Sequence, residues 1–405
     1  MNIKIEDGSV HSPLGFKAAG IHCGIKKHNK DLALIYSEVP CEAAGVFTKS
    51  VVKGEPLLVT MENIKDGKAQ AIIVNSGNAN TCTGDKGKET AYLMAKYTGE
   101  NLDITPSDVL VGSTGVIGVP LDINPIKNSL PALVDLLDKG NALDACEAIL
   151  TTDILSKNIS VKIEIDNKII TIGAMAKGSG MIHPNMATML SFITTDLAIS
   201  HDLLKKALKQ TVDNSYNRIS VDGSTSTNDM VLILANGLAE NKIITEEDEN
   251  YTKFVEALQY LNVYLAKLIA KDGEGATKLI ECIINNASSQ EAAEICSKSI
   301  IADNLVKTAM FGNDANWGRI LGAIGKTALP IDVSMIDVSF KSEKGSVLVC
   351  QNSAYVKFDE DKAFDILNSP EVTVDVDFKS GVYSAKAWGC DLTYEYVKIN
   401  GEYRS

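Results

Sequence analysis

Apolar residues recur along the chain in two alternating rhythms, short β-like runs separated by longer helical ones, and this alternation predicts a mixed α/β fold. Residues 31–37 (Asp-Leu-Ala-Leu-Ile-Tyr-Ser) and 70–74 (Gln-Ala-Ile-Ile-Val) read as strands. The second empties into an Asn/Gly-rich loop over 75–84, where backbone can approach a ligand. Ile159, Val161, Ile163 and Ile165 alternate up to a turn at Asp166-Asn167, and Ile169 to Ile172 follow, so 159–172 reads as a hairpin. The clearest helix begins at Thr245, where Thr-Glu-Glu-Asp resembles a capping box. It continues with Phe254, Leu258, Leu261, Leu265 and Leu268 on one face and stops at Gly273. Short strands at 332–338, 346–350 and 372–378 place a second, smaller mixed α/β domain after about residue 280. The expected division is therefore 1–280 and 281–405, without internal repeats or a low-complexity linker.

Composition narrows the class. A chain of 405 residues is long enough for two or three domains with well-buried cores. A net charge of −13 without clustered Lys and Arg argues against nucleic acid as a partner. The eight cysteines form no C-x-x-C pair and have no His-rich companion, so neither a zinc site nor a redox motif is expected. Met1-Asn-Ile-Lys-Ile-Glu-Asp has no apolar h-region and no run of 18 apolar residues occurs, so the expectation is a cytoplasmic protein with reduced thiols that does not span a membrane.

The most informative stretch is Lys177-Gly-Ser-Gly-Met-Ile-His-Pro-Asn-Met-Ala-Thr-Met-Leu190. A hydroxyl residue after a tiny one, in a segment whose glycines let the backbone bend sharply, suits attack by Thr188 Oγ on the Ala187 carbonyl. Cleavage would leave Thr188 as a new N-terminus, whose α-amine, with an unperturbed pKa of about 7.7 to 8.0, can serve as base for its own hydroxyl. A lone Ala-Thr pair would be an ordinary strand start. Gly178, Gly180, Pro184 and Asn185 upstream specify an unusual backbone instead, of the kind where function concentrates. His183 resembles a Ser-His base, but the α-amine supplies a base within the nucleophilic residue and no carboxylate stands nearby in sequence.

Six ordered blocks then make the chain resemble the ornithine acetyltransferase, or glutamate N-acetyltransferase, family of arginine biosynthesis. They are Val74-Asn-Ser-Gly-Asn-Ala-Asn80 with Thr83-Gly84, Gly112-Ser-Thr-Gly-Val-Ile-Gly118, the Thr188 segment, Asp272-Gly-Glu-Gly-Ala-Thr-Lys278, Gly312-Asn-Asp-Ala-Asn-Trp-Gly-Arg319 and Asn400-Gly-Glu-Tyr-Arg-Ser405. The resemblance implies a layered α/β sandwich, cleavage between Ala187 and Thr188 into an α fragment 1–187 and a β fragment 188–405, and a dimer of αβ units. It implies transfer of acetyl from N-acetylornithine to glutamate through Thr188, without organic cofactor or metal, and leaves open acetyl-CoA as a further donor. By resemblance, the Thr114 hydroxyl and Gly115 N–H form an oxyanion hole. Substrate contacts fall on Lys177, Thr188, Glu274, Asn400, Ser405 and one of the pair Thr151 and Thr152.

Each block also has a plainer reading. Gly112–Gly118 lacks the G-x-G-x-x-G spacing and reads otherwise as a tight turn, and Lys271–Lys278 lacks the full P-loop pattern. Lys177 reads otherwise as a surface charge, the glycines around Glu274 as helix caps, and Asn400 and Ser405 as a loose tail. The family usually ends in Thr, so Ser405 keeps the hydroxyl and loses a methyl. Segments 218–229 and 313–319 are assigned structural or indirect roles. Two other classes stay open: a self-processing threonine amidohydrolase or aminopeptidase, and a non-catalytic interaction protein on the same fold.

Overall fold

The computed structural model describes residues 3–183 and 189–402. In chain order its strands are β1 (Lys4–Glu6), β2 (Phe16–Ile21), β3 (Leu32–Phe47), β4 (Lys68–Asn78), β5 (Val109–Val116), β6 (Lys157–Ile165), β7 (Lys168–Lys177), β8 (Leu190–Thr195), β9 (Ile219–Ser220), β10 (Met230–Ala235), β11 (Leu279–Ala287), β12 (Asp337–Ser342), β13 (Gly345–Gln351), β14 (Ala354–Tyr355), β15 (Glu371–Asp377) and β16 (Tyr383–Cys390). Among the described residues they form a nine-stranded sheet, ordered β1-β6-β7-β8-β10-β3-β4-β5 with β2 paired to β3, and a seven-stranded sheet ordered β14-β13-β12-β15-β11-β16-β9. Helices are interspersed with the strands throughout, so the fold is mixed α/β.

The first unit takes residues 3–178, 189–217 and 225–265 and holds the nine-stranded sheet. Both faces of its central strands are buried. Ile72 and Val74 of β4 enter one apolar cluster with Phe192, Leu232 and the short helix Asp144–Ala148, while Ala71 and Ile73 enter another with the helices Gly84–Leu102 and Ile123–Lys139. Two-sided burial explains why β4 reads as a continuous apolar run and not as an alternation. The 159–172 hairpin is present as β6 and β7, turning at Asp166 and Asn167, both in the left-handed region.

The second unit takes residues 179–183, 218–224 and 266–402, around the seven-stranded sheet. Ile280, Cys282 and Ile284 of β11 and Val372, Val374 and Val376 of β15 alternate into one core. The boundary expected at 280 falls inside β11, and the units interleave in sequence. Residues 218–224 join the second unit because β9 extends its sheet beside β16, and 179–183 join because the Val221 N–H donates to Ile182 O at 2.7 Å.

Two local expectations are corrected. The helix begins at Glu249, with Asp248 Oδ1 accepting from the Tyr251 N–H at 2.9 Å, and not at Thr245. Ile244 exchanges backbone hydrogen bonds with Ala198 and Ser200, which draws the stretch before Thr245 into extended structure. The loops read at 75–84 and 112–118 are partly strand, because β4 runs to Asn78 and β5 to Val116. Their buried polar side chains satisfy one another inside the sheet: Ser113 Oγ donates to Asn75 Oδ1 at 2.6 Å and Asn75 Nδ2 to Asn78 O at 2.9 Å.

Candidate active site

In the first unit the end of β5 is irregular. Thr114 is paired with both Ser76 and Asn78, and Gly115 has φ +131°, where a Cβ would run into the backbone of Gly77 and Asn78. Glycine at 115 is therefore a steric requirement of the close β4–β5 approach. Asn228, itself buried, fastens this corner by donating to Ala79 O at 2.6 Å and to Ser113 O at 2.9 Å, which fixes the peptide leading into Thr114.

Lys177 closes β7 directly opposite Leu190, which opens β8. It is 7% exposed, so the surface-charge reading is set aside. Its Nζ donates to Thr151 Oγ1 at 2.8 Å and lies 3.6 Å from Asp153. Of the two candidate threonines, Thr151 is thus the one Lys177 reaches. The Asp153 side chain is fully buried and also accepts from Lys157 Nζ at 2.8 Å and from the Thr151 and Gly178 N–H groups at 3.1 and 2.6 Å. Burial alone would raise its carboxyl, but the Lys177 and Lys157 ammonium groups outweigh that and hold it well below the usual carboxylate range. Lys26 adds a third cation, donating to Leu150 O at 2.6 Å, the carbonyl just before Thr151. Asp229, immediately before β10, is 4% exposed, and burial pushes its carboxyl well above the usual range. Its Oδ2 has no hydrogen-bond partner among the described residues.

In the second unit Glu274 follows the helix Glu249–Lys271 and is 7% exposed. Its N–H donates to Ser179 O at 3.0 Å, its carboxylate packs on Gly180, and its Oε2 accepts from Asn400 Nδ2 at 2.7 Å. Asn400 lies on the helix Tyr394–Gly401, so that residue is not part of a loose tail. His183 Nδ1 is 2.9 Å from Ser220 Oγ, and burial, aided by Lys298, pushes its imidazole down to about 4, leaving it neutral near pH 7. Ala187, Thr188 and Ser405 lie outside the described residues. Thr152 is partly exposed.

Sequence reasoning missed Asp153 as the anion between two buried lysines, and for Asp222 and Asn228, which lie in the segment 218–229 assigned a structural or indirect role, it named no partners. Asp153 left no signal of its role, since its partners Lys177 and Gly178 lie far along the chain. Asp222 and Asn228 bond mainly across long sequence separations, so the residues they hold could not be read from that segment. Among the described residues no group of three or more His, Cys, Asp or Glu is placed to hold a metal ion, and no helix is long and apolar enough to cross a membrane.

Fold and geometry define a two-sheet α/β protein with a Thr-Lys-Asp cluster, its Lys and Asp side chains buried, at the end of β7. The ArgJ family pattern matches residues 17–405, and the chain belongs to that family. It is 51% identical to the arginine biosynthesis bifunctional protein ArgJ of Caldanaerobacter subterraneus subsp. tengcongensis over 403 residues, covering all of both chains. It is 54% identical to arginine biosynthesis bifunctional protein ArgJ 1 of Clostridium acetobutylicum over 391 residues, 96% of each. The crystal structure of arginine biosynthesis bifunctional protein ArgJ from Bacillus halodurans matches with a TM-score of 0.51 at 44% identity, over all of that chain and 53% of this one.

Proposed function

We propose that the chain is a self-processing acetyltransferase of arginine biosynthesis that carries acetyl from N-acetylornithine to glutamate as an ester on Thr188. Among the geometric observations, one carries the reading: Lys177 and Leu190, which bracket the segment containing Thr188, are paired neighbours, and Lys177 is buried against Thr151 and Asp153. Family membership over nearly the whole chain supports the substrates, and the relatives' description as bifunctional supports a second activity, which we assign to acetylation of glutamate by acetyl-CoA. The Bacillus halodurans chain, matched over its full length, spans 53% of this one, and residues 188–405 are likewise a little over half of it.

In maturation Thr188 Oγ adds to the Ala187 carbonyl carbon, the Ala187–Thr188 C–N bond breaks, and the hydroxyl proton ends on the freed amine. Water then hydrolyses the ester, leaving a carboxylate on Ala187 and a free amine and hydroxyl on Thr188. In turnover that amine accepts the Oγ proton as Oγ attacks the acetyl carbonyl of N-acetylornithine. The Thr114 hydroxyl and Gly115 N–H take up the oxyanion. Its collapse breaks the C–N bond, returns the proton to the departing nitrogen and releases ornithine. The glutamate amine then attacks the acetyl ester, gives its proton to the Thr188 amine, and that proton passes to Oγ as it leaves. Thr151 and Lys177 orient substrate in this scheme. Glu274, Asn400 and Ser405 serve recognition, and the fragments 1–187 and 188–405 stay together as αβ units that dimerise. Incubation with N-acetylornithine tests transfer: acetyl should appear on glutamate when glutamate is present, whereas acetate released at the same rate with or without glutamate would identify a hydrolase.

Ornithine and glutamate share an α-carboxylate and differ in side-chain charge, so an anionic Glu274 helps the first half-reaction and opposes the second. Glu274→Gln should slow acetylation of Thr188 by N-acetylornithine more than deacetylation by glutamate, by an amount on the order of 1 to 3 kcal/mol for one charge-assisted hydrogen bond. Single-turnover kinetics of the two halves reads this directly. Equal losses in both would reduce Glu274 to a support of its loop.

A further inference from the structure

The segment 179–183, which precedes the Ala187–Thr188 bond in sequence, is held in the second unit by two carboxylates. Asp222 grips its middle: Oδ2 accepts from the Met181 N–H at 2.6 Å and Oδ1 from the Ile182 N–H at 3.0 Å. Val221 N–H to Ile182 O at 2.7 Å adds a backbone tie between the same two strands of chain. Met181 has φ +56°, a left-handed conformation that a bulky side chain keeps only where its surroundings over-determine it, and the Asp222 grip supplies that restraint. Glu274 holds the segment's start, through its own N–H to Ser179 O and its carboxylate against Gly180.

Both carboxylates are in turn bonded by one element. On the helix Tyr394–Gly401, the Tyr396 hydroxyl donates to Asp222 Oδ2 at 3.3 Å and Asn400 Nδ2 to Glu274 Oε2 at 2.7 Å. The helix is anchored independently, by Thr393 Oγ1 donating to Gly275 O at 2.7 Å and by the edge-to-face contact of Tyr394 with Phe311, ring centroids 5.7 Å apart. A C-terminal element therefore reaches, through two intermediary side chains, a segment more than 200 positions earlier in sequence.

We infer that Asp222 and Tyr396 are positioning residues for self-cleavage, through which the C-terminal helix clamps the segment leading to the scissile bond, so that cleavage waits until the end of the chain has folded. An intramolecular acyl shift depends steeply on how well nucleophile and carbonyl are aligned, so loosening the approach slows it without removing a reacting group. This proposal rests on the self-cleavage reading of the previous section.

Full-length chain made by cell-free synthesis and sampled over time under denaturing conditions reads the conversion of the 405-residue polypeptide into two fragments. Asp222→Asn and Tyr396→Phe should each slow that conversion by roughly tenfold or more, the size expected for loosening a hydrogen bond to a charged group. Val397→Ala, on the same helix at a position 70% exposed, should match the wild type. Melting temperatures measured in a Thr188→Ala background separate a positioning effect from a folding one, and Tyr396→Phe, which removes a single oxygen, decides the matter if Asp222→Asn does not fold. Variants that fold and cleave at the wild-type rate overturn the clamp alone. A wild type that never cleaves overturns the self-cleavage reading, and the clamp with it.

Discussion

Thr188→Ala is expected to leave the chain as one polypeptide and to abolish acetyl transfer. Both losses follow from one atom. Alanine lacks the oxygen proposed to attack the Ala187 carbonyl, so the proposed acyl shift would have no nucleophile, and without cleavage the α-amine assigned as base would stay locked in a peptide bond. The substitution removes a hydroxyl and a methyl from a segment already rich in small residues, so the fold should persist, which circular dichroism and melting temperature check. Denaturing mass spectrometry should show two fragments for the wild type and a single mass for the variant. Two fragments from the variant would point to an outside protease.

Thr114→Ala should lower kcat by roughly 10² to 10³ while KM changes little, because a donor aimed at the oxyanion acts mainly on charge that exists only in the transition state. That corresponds to about 2.7 to 4 kcal/mol of barrier. Thr114 sits where β5 pairs irregularly with β4, and Asn228 fixes the peptide before it. The backbone that presents Thr114 and the Gly115 N–H is thus held by other residues, and the loss should be confined to the missing hydroxyl. A kcat within a factor of about three of the wild type would remove Thr114 from the oxyanion role.

Local periodicity made part of the fold legible. The β6–β7 hairpin follows from strict alternation and an Asp-Asn turn, and Phe254, Leu258, Leu261 and Leu265 are fully buried on one helix face. Elements failed to show where tertiary partners override local pattern. Asn75, Ser76 and Ser113 resemble loop residues by type yet lie in strands, because Asn75 and Ser113 bond each other inside the sheet and Ser76 Oγ donates to Ala148 O on the short helix Asp144–Ala148. Thr245 carries a capping signature, but Ile244 is claimed by the chain around Ser200. In the candidate site, Lys177 and Thr151 were readable only through the resemblance, and the geometry brings them to 2.8 Å. Asp153 escaped notice because its importance lies in neutralising Lys177, 24 positions further along. The partners of Asp222 escaped for the same reason, since the amides it grips lie about 40 positions earlier.

The central claim is that acetyl passes through an ester on Thr188. Its most direct test is the mass of the two fragments after brief exposure to N-acetylornithine without glutamate. The 188–405 fragment should become heavier by one acetyl group located on its first residue, the 1–187 fragment should be unchanged, and addition of glutamate should return the heavier fragment to its original mass. Transfer of acetyl to glutamate with no acetylated fragment formed at any time, or with the acetyl group on another residue, would contradict the claim.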